Sequence, residues 1–159
     1  RTPRDLPTID IGSGLGEFVN LFSINNPNTS ITSVDTRDWD KYFDHTGRIQ
    51  RVYKNIFELD ESDARDVVTC FEVIEHLPPD RVNEAVNILR KIAKKRLFIS
   101  VPFLEPEPMY KGHFTRFTEE KLSSLFPDAT FTVFAKSLRH KIKVHAWILA
   151  TINIDKKTK

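Results

Sequence analysis

The chain constrains its own fold most tightly at Asp10-Ile11-Gly12-Ser13-Gly14-Leu15-Gly16. Three glycines in two-residue steps follow an apolar run that carries one acid. They precede Leu15, Phe18, Val19 and Phe22, which fall at helical spacing. A strand that turns through glycines into a helix brings bare backbone close to a ligand. It also aims free N–H groups and the positive helix end at any anionic group held there. A second β-like run, Ser30 to Val34, ends in Asp35, nineteen residues after Gly16. An acid at the tip of the second strand can accept hydrogen bonds from both hydroxyls of a ribose. Loop and acid together point to a nucleoside-containing cofactor. Dinucleotide binders space their glycines G-x-G-x-x-G, and here the third glycine comes one residue early.

Residues 10–18, read in full, resemble the first motif of the class I S-adenosylmethionine-dependent methyltransferases. Asp66 to Phe71 is a short, largely apolar run, as expected of a parallel strand buried on both faces. It leads into Glu72-Val73-Ile74-Glu75-His76-Leu77, which resembles the fourth motif of the small-molecule members, the quinone-biosynthesis type included. Leu97 to Pro102 reads as a fifth strand ending in the Val-Pro typical of these enzymes. Gly112 to Thr118 is similar to the turn that opens their next helix, with Arg116 one place late. The motifs keep the family's order from Thr8 to Ile152.

Strands are expected near Thr8–Ile11, Ile31–Val34, Ile49–Tyr53, Val67–Phe71, Leu97–Val101, Thr130–Ala135 and Val144–Ile152. Helices are expected near Glu17–Phe22, Asp80–Lys94 and Glu119–Leu125, with a short one between Thr36 and Gly47. The alternation implies βαβ units and an α/β fold. A polar turn from Lys136 to Lys143 makes the last two strands a hairpin, so the final strand runs antiparallel. The resemblance implies a Rossmann-like, seven-stranded, mostly parallel sheet of order 3-2-1-4-5-7-6 in a single domain over residues 1–159. Relatives carry N-terminal lid helices; only Arg1 to Pro7 precede the first strand here, so the lid is expected to be absent, missing or supplied by a partner. Residues 153–159 read as a basic tail.

Bulk properties exclude several alternatives. A net charge of +2 gives no basic track for nucleic acid. One cysteine excludes an internal disulfide framework, and Cys70 lies inside a strand as a small core residue. No apolar run reaches the ~18–20 residues of a membrane span. The expected location is the cytoplasm. Lys91, Lys94, Lys95 and Arg96 read as a helix end that complements its dipole.

The resemblance implies S-adenosylmethionine as cofactor, held by Asp10, Gly12, Ser13, Gly14, Gly16, Asp35, Thr36, Asn55, Ile56 and Phe71. Asp10 would orient the loop and help to hold the methionine ammonium. Asn55-Ile56 stands where relatives have Asp-Ala; the Asn carbonyl can accept from the adenine amino group. Phe57 could pack on the adenine face. His76 and His113 follow the fourth and fifth strands and would flank the transferred methyl, one of them taking a proton from an oxygen acceptor. No metal is expected. The function expected is methyl transfer to a small-molecule or glycan acceptor, bordered by the loop Phe103 to Tyr110. One alternative uses the same cluster: Glu72, Glu75, His76 and His113 resemble the metal-binding set of the small-RNA 3′-terminal 2′-O-methyltransferases. Another is a non-catalytic scaffold, which would be expected to have damaged glycines or acids; here they are intact.

Overall fold

The computed structural model describes residues 6–39, 47–136 and 145–154. The expected helix around Tyr42 and Phe43, the centre of the last hairpin turn, the start of the chain and the basic tail beyond Ile154 lie outside the described residues. Seven strands form one sheet: β1 Thr8–Ile11, β2 Ile31–Asp35, β3 Ile49–Tyr53, β4 Arg65–Phe71, β5 Ala93–Phe103, β6 Thr130–Lys136 and β7 His145–Asn153. Their order is β3-β2-β1-β4-β5-β7-β6, as the resemblance implies. Pairs among β1 to β5 are parallel, and β7 runs antiparallel to both β5 and β6. The strand order reverses between β1 and β4, where Ile11 lies beside Cys70. Gly12 and Glu72 leave the sheet just beyond, at the crevice where open α/β sheets bind ligands.

The helices are α1 Glu17–Asn25, α2 Val82–Ile92 and α3 Glu119–Leu125. In α2, Val82, Ala85, Val86, Leu89 and Ile92 are buried, following the 3.6-residue period. Each larger aliphatic chain on that face contributes roughly 1.5–3 kcal/mol of gross burial energy. The helix stops at Ile92, and the chain enters β5 at once because Ala93 pairs with Arg65 on β4. Lys94, Lys95 and Arg96 therefore stand exposed on a strand and not on a helix end as expected. Lys95 pairs with Asp66 at 2.9 Å.

A similar correction holds at α1. Val19 is fully buried, and Phe18 and Phe22 pack beside it. Leu15, expected on the same face, is exposed because Gly16 takes a left-handed conformation and the helical period starts only at Glu17. Cys70 is buried as expected. No described helix is long and apolar enough to cross a membrane.

Candidate functional site

The glycine loop is fastened to the end of β2. The N–H groups of Gly12 and Ser13 donate to the Val34 carbonyl at 2.8 and 3.1 Å. The Ser13 and Ser33 hydroxyls are hydrogen-bonded at 2.6 Å. Asp35 completes the seam: one carboxyl oxygen accepts from the Gly14 N–H and the other from the Arg37 N–H, each at 2.9 Å. Those bonds leave lone pairs on both oxygens for ligand hydroxyls. Gly12 has φ +74, and a Cβ there would lie 2.3 Å from Val73 Cγ2, so only glycine fits. A Cβ on Gly14 would meet nothing within 4 Å: space is open beside this part of the loop.

That space belongs to a cleft of about 590 Å³, whose walls include Gly12, Gly14, Asp35, Thr36, Asn55, Ile56 and His76. A connected set of walls, Asp10, Gly12, Ser13, Phe71 and Glu72 among them, bounds a further cavity of about 310 Å³ at the start of α1. Of the sequence-predicted cofactor residues, all but Gly16 line one or both cavities. Gly16 is buried and serves as the N-cap of α1. Phe71 packs edge-on against Phe18, with ring centroids 5.0 Å apart.

Two expected contacts look different in the structure. Asn55 caps a short 3-10 turn, Ile56–Glu58: its Oδ1 accepts from the Phe57 N–H at 3.0 Å, and Glu58 accepts from the Asn55 N–H at 2.6 Å. The amide carbonyl thus has one lone pair committed to the backbone. Phe57 does not line the cleft; its ring lies under the Arg81 guanidinium, 3.5 Å from the centroid. The ring serves packing and a cation–π contact.

Asp10 sits beneath the loop with its Oδ1 accepting from the Thr69 hydroxyl at 2.6 Å. Burial pushes its carboxyl up to about 7, the Thr69 bond opposes the rise, and the Asp35 charge adds to it. A bound ammonium would favour the ionised form again. The open cradle at Gly14, the free lone pairs of Asp35 and this cation-seeking acid fit the adenosyl cofactor that the loop spacing predicts.

Past β4 the chain is held in an unusual shape. Glu72 has φ +55, a left-handed conformation that costs a non-glycine residue on the order of 1–2 kcal/mol. The Ser100 hydroxyl donates to its Oε1 at 2.6 Å, and the Trp147 side chain donates to the same carboxyl. Burial raises this carboxyl above its ordinary range, against those two bonds. Strain of this kind collects at functional sites.

The next acid, Glu75, is 0% exposed, and neither of its carboxyl oxygens has a hydrogen-bond partner. Burial pushes it up to about 8, the Glu72 charge adds to the rise, its own backbone opposes it, and the Glu105 charge adds a smaller part. Its backbone carbonyl accepts from Phe114 and Thr115, which ties the loop after β5 to the end of β4. His76 Nδ1–H donates to the Gly112 carbonyl at 2.9 Å, and Gly112 turns its backbone there with φ +102. His113 Nδ1–H donates to the Glu105 carboxylate at 2.8 Å. In the neutral form of either ring these bonds fix the tautomer and leave Nε2 with its lone pair. The rings meet edge to face, 4.7 Å between centroids. Glu75, His76 and His113 each offer one ligating atom within 4.8 Å of the others.

Three partners in this cluster escape sequence reading: Glu105, Ser100 and Trp147. Glu105 is 7% exposed and organises the whole loop, accepting from His113 and from the Tyr110 N–H at 2.7 Å. A signal for Trp147 was available. An antiparallel last strand must begin at the carboxyl ends of its parallel neighbours, and Trp147 pairs with Pro102 there.

Asp10 and Glu75 carry a testable consequence for stability. The native state keeps their protons up to about pH 7 and about pH 8, whereas the unfolded chain loses them near 3.8 and 4.5. Between those limits the folded form binds more protons, so stability falls as pH rises. The melting temperature of the cofactor-free protein is expected to drop between roughly pH 5 and pH 8. Glu75→Gln should shrink that drop. A flat or rising profile would show that these acids ionise in the fold as they do in water.

Residues 1–136 match a protein-family model described as a methyltransferase domain. No curated protein is significantly similar in sequence. Solved structures share the fold at low identity. The N-methyltransferase NodS from Bradyrhizobium japonicum WM9, in complex with S-adenosylhomocysteine, is 14% identical; the match covers 96% of this chain and 80% of that one, with a TM-score of 0.73. The 1,6-didemethyltoxoflavin-N1-methyltransferase of Burkholderia thailandensis, with 1,6-didemethyltoxoflavin and S-adenosylhomocysteine bound, is 19% identical, covering 94% and 71% with a TM-score of 0.71. Magnesium protoporphyrin IX methyltransferase from Synechocystis PCC 6803, with S-adenosylmethionine bound, is 16% identical, covering 93% and 70% with a TM-score of 0.68. The family match spans the glycine loop, Asp35 and the His76–His113 cluster alike, and the chain therefore belongs to the methyltransferase-domain family, as a class I S-adenosylmethionine-dependent enzyme.

Proposed function

We propose that the chain transfers the cofactor's methyl group to an oxygen of a small-molecule or glycan acceptor in the cytoplasm, with His76 and His113 serving the transfer. The observation that carries this reading is the pair of imidazoles beside Glu72, each with Nδ1 tied down and Nε2 free to accept. S-adenosylmethionine, when bound, supplies a methyl carbon activated by the sulfonium. Asp35 would accept from the ribose hydroxyls, the N-terminal end of α1 would face the methionine carboxylate, and Asp10 would meet the ammonium. Holding the acceptor oxygen in line with the methyl supplies much of the rate. As the methyl leaves the sulfonium for the acceptor oxygen, with S-adenosylhomocysteine as the leaving thioether, the acceptor's proton would pass to a histidine Nε2, and the Glu105 carboxylate would steady the imidazolium at His113.

A second reading is favoured by one observation, the fully buried Glu75 carboxyl with no partner. A divalent cation held by Glu75, His76 and His113, with Glu72 beside them, would satisfy that carboxyl and polarise an acceptor oxygen. Such a centre would suit the terminal ribose diol of an RNA. A chelator titration separates the two. The general-base reading expects the wild-type rate to survive chelation. The metal reading expects activity to vanish and to return with Mg²⁺ or Mn²⁺, and it expects Glu75→Gln to fail together with either histidine variant.

A further inference from the structure

Glu72 stands where three cavities meet. Among the described residues it alone lines the cleft of about 590 Å³, the cavity of about 310 Å³ at the start of α1, and a third of about 160 Å³ bordered by Phe103, His113 and Trp147. The first two have Gly12, Gly14 and Glu72 as common walls. Two of these carry no side chain, so the ionisable group among the shared walls is the Glu72 carboxyl. It is held in place from β5. The Glu72 N–H donates to the Ser100 carbonyl at 3.1 Å, and Oε1 accepts from the Ser100 hydroxyl at 2.6 Å. The Trp147 side chain donates to the same carboxyl. Both side-chain donors are neutral, and among the described residues no lysine or arginine pairs with this acid.

The connectivity of S-adenosylmethionine gives this junction a meaning. Its sulfonium joins the 5′ carbon of the ribose to the methionine chain. With the ribose at Asp35 in the cleft and the ammonium at Asp10 in the α1 cavity, the sulfur falls where those two cavities meet. A carboxylate there attracts the sulfonium and has no comparable hold on the neutral thioether of the product. Burial raises the Glu72 carboxyl, and a sulfonium beside it would favour the ionised form. We propose that Glu72 is the charge-selective residue of the cofactor site, retaining S-adenosylmethionine through its sulfonium and releasing S-adenosylhomocysteine once the methyl has left. The inference rests on the cofactor placement proposed above. Attraction to the reactant alone would slow the transfer. In the transfer, however, the S–CH3 bond breaks with its electron pair left on sulfur, the O–CH3 bond forms, and the acceptor's proton moves to a histidine Nε2. The positive charge thus passes from sulfur to imidazole, and His76 and His113 both act electrostatically on the same Glu72 carboxyl.

The experiment is calorimetric titration with S-adenosylmethionine and, separately, with S-adenosylhomocysteine, without acceptor and in the presence of a chelator. The two ligands share adenosine, ammonium and carboxylate, so the ratio of their dissociation constants isolates the methylated sulfur. The wild type should bind the sulfonium ligand about tenfold or more tightly than the thioether. Glu72→Gln keeps the side chain's shape and an oxygen for the Ser100 hydroxyl. It should erase most of that preference while holding S-adenosylhomocysteine within about threefold of the wild type. A merely structural Glu72 would instead weaken both ligands alike. Ser100→Ala keeps the charge but loosens the carboxyl, and it should narrow the preference part of the way. The proposal is overturned if the wild type binds the thioether as tightly as the sulfonium. It is equally overturned if Glu72→Gln, or Ser100→Ala should the first variant not fold, keeps the full preference. Asp35→Ala tests the placement beneath the proposal and should weaken both ligands alike. If it weakens neither, or if the wild type binds neither ligand, the placement has failed and the proposal falls with it.

Discussion

Replacing His113 with alanine is expected to lower turnover by ~10²–10⁴-fold while leaving cofactor affinity nearly unchanged. The imidazole lines the cavity beside the loop after β5 and not the cleft that holds Asp35, so its loss is expected to touch the transfer step alone. Single-turnover rates with an excess of cofactor check the first part, and calorimetry with S-adenosylhomocysteine checks the second. Glu105→Gln gives a finer test of the same arrangement. It keeps the shape of the side chain but removes the charge that faces His113 Nδ1 at 2.8 Å. Turnover should fall with cofactor affinity nearly unchanged, since the imidazolium formed in the transfer loses its partner. A His113→Ala variant with full turnover would place the proton acceptor elsewhere.

Asp35→Ala is expected to weaken cofactor binding by more than about tenfold. Hydrogen bonds to a charged group contribute about 1.5–3 kcal/mol each, and the ribose would lose two. The substitution also frees the Gly14 N–H that Asp35 now holds at 2.9 Å, which loosens the loop against β2. Asp35→Asn separates the contributions, because its amide oxygen can keep one acceptor position. The dissociation constant of S-adenosylhomocysteine, measured for all three proteins, should rank aspartate, asparagine, alanine from tight to weak. An alanine variant that binds like the wild type would move the ribose away from β2.

The glycine loop and its seam with the end of β2 were legible because their signal is local in sequence. Gly12, Gly14 and Gly16 must follow a strand and open a helix, and Asp35 must end the next strand; the structure bonds these two features to each other through Gly14. Strand order was legible through the family resemblance; periodicity and the polar turn supplied only the parallel units and the antiparallel final hairpin. The histidine cluster was legible only as a set of residues. Its partners lie on separate elements: Glu105 in a loop whose acids carry no periodic signal, Ser100 on β5 and Trp147 on β7. Local propensity misplaced the start of β5. The run Lys94-Lys95-Arg96 reads as the last turn of a helix, yet pairing of Ala93 with Arg65 on the neighbouring strand outweighs that preference. Asn55 was read as an adenine contact from its place in the chain, and its side chain turns back to cap its own 3-10 turn. Backbone N–H groups compete for such side chains wherever a turn begins, and that competition is invisible to a family comparison.

The central claim is that the Asp10–Gly16 loop and Asp35 form an adenosylmethionine site and not a dinucleotide site. Calorimetric titration of the wild-type chain with S-adenosylhomocysteine and, separately, with NAD tests it most directly. The account predicts saturable binding of S-adenosylhomocysteine at one site per chain, lost or strongly weakened in Asp35→Ala, and no heat above dilution with NAD. Tight binding of NAD with no response to S-adenosylhomocysteine would contradict it.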